Sequence, residues 1–61
     1  MLWITTHHMR DRADLERVVE NISAMVGGVS WTITRRDGGA SVTLSGDEPK
    51  VAAALRWLEN E

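Results

Sequence analysis

The sequence predicts an α+β domain of order β-α-β-β-α: a three-stranded sheet, strand order 1-3-2, with two helices on one face. Three observations lead there. Apolar side chains recur at helical spacing between residues 15 and 26. Two alternating stretches flank Asp37-Gly38-Gly39. A second apolar helical stripe follows Gly46-Asp47-Glu48-Pro49.

Leu2 to Thr6 is the first strand, rich in β-branched and aromatic residues, with the polar run from His7 to Asp11 ending it. Within it Leu2 and Ile4 point one way, Trp3 and Thr5 the other, and Ile4 is expected on the covered face. Asp11 to Val26 is an amphipathic helix with Asp11 as N-cap and Asp14 in the positively polarised first turn. Its stripe is Leu15, Val18, Val19, Ile22, Met25 and Val26, with Arg12, Glu16, Arg17 and Glu20 opposite, and Gly27-Gly28 supplies a left-handed stop.

Val29 to Arg36 alternates, with Val29, Trp31 and Ile33 on one face and Ser30, Thr32 and Thr34 on the other. Ala40 to Ser45 does the same, with Ala40, Val42 and Leu44 against Ser41, Thr43 and Ser45. The turn residues between them tolerate positive φ and imply a tight hairpin. In the last helix Asp47 can cap, Pro49 sits where its missing N–H costs nothing, and Val51, Ala54, Leu55 and Leu58 face inward, with Trp57 at the border. A crossover through the first helix is expected to set strand one beside strand three and parallel to it. The helices then cover Ile4, Trp31, Ile33, Val42 and Leu44.

The chain of 61 residues is one domain, residues 1–61, and without cysteine it has no disulfide to reinforce a small core. Oligomerisation is the remaining source of stability. A formal charge of −2 argues against a nucleic-acid footprint. No apolar run has the length of a membrane span, and Met1-Leu2-Trp3-Ile4 lacks a basic leader region, so a cytoplasmic protein is expected.

Two stretches carry a resemblance. Arg10-Asp11-Arg12-Ala13-Asp14-Leu15-Glu16-Arg17-Val18 is similar to the segment leading from strand one into helix one of ACT domains, usually written Arg-Pro-Gly-x-Leu. Val42-Thr43-Leu44-Ser45-Gly46-Asp47, with Val51, Ala54, Leu55 and Leu58, is similar to their strand-three to helix-two junction. The chain thus resembles an ACT-like, ferredoxin-like βαββαβ domain without its last strand, and also the related ligand-sensing module of some methionine importer ATPases. The resemblance implies a regulatory, dimeric module binding an amino acid or similar effector near Asp11, Ala13 and Asp14. Here Arg12-Ala13-Asp14 stands where ACT domains tend to carry a glycine, placing a Cβ and a carboxylate on the effector's approach.

Lacking a fourth strand, strand one is expected to expose an uncharged edge at Leu2, Trp3, Ile4 and Thr5, a template for a further strand. Its occupant is a second copy, a different protein, or chain lying beyond this stretch. Trp3, expected on the hydroxyl-rich face, is a candidate interface anchor as well as a plain border residue. That face, with Ser30, Thr32, Thr34, Ser41 and Thr43, reads as the solvated side of the sheet.

His7-His8 diverge from one backbone without a third ligand, so no metal or cofactor is expected and both histidines read as solvated loop residues. Arg10 and Arg12 are separate from Arg35 and Arg36, and the central strands lack stacking aromatics, which excludes an RNA-recognition surface. No nucleophile, base and orienting carboxylate occur together, so the chain is expected not to be an enzyme.

Overall fold

The computed structural model describes all residues 1–61. Its elements are β1 (Leu2–Met9), α1 (Leu15–Val26), β2 (Ser30–Arg36), β3 (Gly39–Asp47) and α2 (Glu48–Glu59). They form the expected α+β βαββα layout of ferredoxin-like type, with one sheet ordered β1-β3-β2.

Both neighbours of β3 are antiparallel to it, which corrects the parallel pairing expected of strands one and three. The reason is topological. The two outer strands, β1 and β2, run the same way and are linked through α1. The hairpin at Asp37-Gly38 then sends β3 back between them, opposed to both. Only Gly38 of the two turn residues takes positive φ, 76°.

The core lies between sheet and helices. Leu15, Val19 and Ile22 of α1 and Val51, Ala54 and Leu58 of α2 close over Ala40, Val42 and Leu44 of β3, with Val29 at the entry to β2. These are the apolar positions of each helical or alternating stripe, so burial follows periodicity. Trp31 and Ile33 are half-buried at the border, and Met25, on the rim of the α1 stripe, is exposed.

β1 departs from expectation in two ways. First, it is longer, taking in His7, His8 and Met9, because β3 extends to Gly39 and offers each of them a partner. Second, its faces are reversed. Trp3 pairs with Gly46, Thr5 with Leu44, His7 with Val42 and Met9 with Ala40, so the odd-numbered side chains share the helix-covered face. Ile4 is 62% and Leu2 74% exposed, against 37% for Trp3. The partner strand decides this: a one-residue shift would flip every side chain. On the open face, Thr6 and Thr43 hydroxyls meet at 3.1 Å and His8 Nδ1 meets Ser41 Oγ at 2.9 Å.

Gly46 is also where the layers come closest. It has φ 151°, and a Cβ there would sit 2.8 Å from the Gly28 carbonyl oxygen. The α1–β2 loop is held by a second contact, the Ser23 hydroxyl donating to the Val29 carbonyl at 2.7 Å.

Candidate functional site

Asp11, Ala13 and Asp14, the effector site implied by the ACT resemblance, lie together on the exposed connection from β1 to α1. The helix begins at Leu15, so Asp11 is not its cap, in contrast to expectation. Asp11 instead accepts a hydrogen bond from Arg35 Nε at 2.9 Å, tying the connection to the end of β2. Asp14 occupies the N-cap position but makes no side-chain cap bond. Arg12 donates to both of its oxygens, from Nε at 2.6 Å and from a terminal nitrogen at 2.9 Å. This hydrogen bonding holds the Asp14 carboxyl below its ordinary value and raises Arg12. Arg12 also lies 3.6 Å from Glu61. Each carboxylate therefore already has a guanidinium partner, and no cavity opens beside them.

The other predicted residues, Leu2, Trp3, Ile4 and Thr5, lie along the outer edge of β1, which has β3 on one side and no strand on the other. The Glu48 N–H donates to the Met1 carbonyl at 2.9 Å, extending the β1–β3 ladder by one pair and setting its phase. Bonded pairs alternate in an antiparallel ladder. Met1, Trp3, Thr5, His7 and Met9 therefore bond inward to β3, while Leu2, Ile4, Thr6 and His8 turn their N–H and C=O groups outward.

The same four residues carry the open-face side chains, so apolar Leu2 and Ile4 flank outward-facing backbone. Trp3 reaches the rim from the other face. β1 has no proline and no Lys, Arg, Asp or Glu, residues that commonly blunt a sheet edge. The opposite edge, β2, ends in Arg35 and Arg36.

No family model, curated protein or solved structure matches this chain.

His7 and His8 are strand residues, contrary to the loop expected, and they diverge to opposite faces of the sheet. No three potential ligand side chains come together anywhere. No helix is long and apolar enough to cross a membrane. Missed in the sequence were the outward phase of β1 and the pairing of Arg35 with Asp11. Neither leaves a local signal, since both depend on which strands become neighbours.

Proposed function

We propose that the chain is a small non-catalytic assembly module that joins to a second copy of itself through the open edge of β1. A single observation carries the reading: β1 presents outward backbone groups at Leu2, Ile4, Thr6 and His8 with Leu2, Trp3 and Ile4 exposed around them. Pairing satisfies the backbone groups and removes apolar surface from water together. For a domain of this size, the added burial is also a source of stability.

The test is the solution mass of the native chain beside Ile4→Lys. Ile4 is exposed, so lysine leaves the core intact while placing a charge on each copy at the seam. Light scattering should give a dimer for the native chain and a 6.8 kDa monomer for the variant, with unchanged circular dichroism. A native chain that stays monomeric at high concentration would sink the reading.

An ACT-like role, holding an amino acid at Asp11, Ala13 and Asp14, is the second reading. One observation favours it. These residues follow directly on β1, so antiparallel pairing carries the loop of one copy to the start of the partner's β1. A site shared across the boundary would form there, which the isolated chain has no cavity to provide.

A further inference from the structure

Resting on the edge-pairing reading, we propose the register of the dimer: two β1 strands pair antiparallel with Thr5 on the two-fold axis. Leu2 then lies opposite the partner's His8, and Ile4 opposite the partner's Thr6. The phase of the ladder restricts the choice. A two-fold pairing must match outward residues with outward residues, which are Leu2, Ile4, Thr6 and His8. Centring on Ile4 leaves His8 without a bonded partner, and centring on Thr6 leaves Leu2 without one. Centring on Thr5 uses all four from each copy.

The side chains suit this register. On the open face, Leu2 covers an imidazole and β-branched Ile4 meets β-branched Thr6. On the helix face, Trp3 meets the partner's His7, and Thr5 meets its own copy. The Trp3–His7 and Thr5–Thr5 pairs are of kinds that stabilise across strands, whereas like charges directly opposite do not. Charge does not oppose a second copy, because β1 holds no Asp, Glu, Lys or Arg to meet its duplicate.

A two-fold axis perpendicular to the sheet also keeps all four helices on one side. The Lys50 side chain lies over Gly28, in the loop joining α1 to β2, with Nζ 3.2 Å from where a Cβ would stand. Ala52, Leu55 and Glu59 occupy the opposite flank of α2, toward β1. The two copies of α2 thus approach through this flank, with exposed Ala52 and half-buried Leu55 near its middle and Glu59 at its C-terminal end.

Single cysteines read this register directly, because the chain has none of its own. Thr5 and its copy form a non-hydrogen-bonded pair, whose Cα atoms stand about 4.5 Å apart, within the span a disulfide bridges. Under mild oxidation Thr5→Cys should convert to covalent dimer. Ile4→Cys and Thr6→Cys should each cross-link poorly alone but join one another when mixed. Both are exposed positions, so the mixed pair tests the register even if Thr5→Cys misfolds. Self-linking of Ile4→Cys or Thr6→Cys ahead of the mixed pair would overturn the register while leaving the edge-paired dimer standing. A native chain that is monomeric by light scattering would instead overturn the edge reading itself.

Discussion

Arg12 is the residue whose chemistry reaches furthest beyond its position. Its guanidinium engages both oxygens of Asp14, and this occupies the carboxylate that would otherwise cap α1. Because the folded Asp14 is held below its ordinary value, its contribution to stability is present above the unfolded-state pKa. That contribution is lost as pH falls through the lower, folded value. The exposed setting keeps it small. Arg12→Gln should return the Asp14 titration toward the ordinary aspartate range and flatten the acid dependence, measured by NMR titration and by urea unfolding across pH. An unchanged Asp14 titration would show that the guanidinium is not its partner in solution. Asp11 and Asp14 were legible as neighbours at the start of the first helix, which the structure shortens to begin at Leu15. Their engagement with Arg35 and Arg12 was not, since an ion pair leaves no periodic trace.

Between elements, the closest approach is that of β3 to the α1–β2 loop at Gly46. The position is doubly constrained, by φ 151° and by the Gly28 carbonyl 2.8 Å from any Cβ. Gly46→Ala should destabilise the fold by about 1–3 kcal/mol, the usual range for a strained backbone conformation. Gly38→Ala meets no atom within 4 Å, so it carries only the positive-φ penalty and should cost less. Urea midpoints compare the two; equal midpoints would deny the close approach. The sequence marked Gly46 as part of a helix-start signal, because glycine before Asp-Glu-Pro fits that pattern. Its place in β3 depends on Asp47 reaching Leu2 across the sheet. Boundaries shifted for the same reason at β1, where β3 recruits His7, His8 and Met9.

For the whole molecule, a small core and an open edge point the same way. In the proposed dimer, pairing contributes stability by mass action, so the melting temperature should rise with protein concentration for the native chain and stay level for Ile4→Lys. Melts repeated with the common amino acids separate the two functional readings. A rise with one of them, present in the native chain and absent in Ile4→Lys, would favour an effector at the subunit boundary. A melting temperature independent of concentration would argue against assembly.

The sequence by itself determined which segments become helix and strand, the hairpin, and the apolar stripes of α1, β2, β3 and α2. Those features depend on periodicities of 3.6 and 2 that are written locally. Tertiary structure alone decided the faces of β1. Leu2, Trp3 and Ile4 are consecutive apolar residues, so alternation gives no preference within the strand. Pairing with β3, where Thr5, His7 and Met9 fall opposite buried Leu44, Val42 and Ala40 and hydroxyls meet Thr6 and His8, settles which side chains are covered. The same pairing fixes which backbone groups face outward, because hydrogen-bond phase belongs to two strands together.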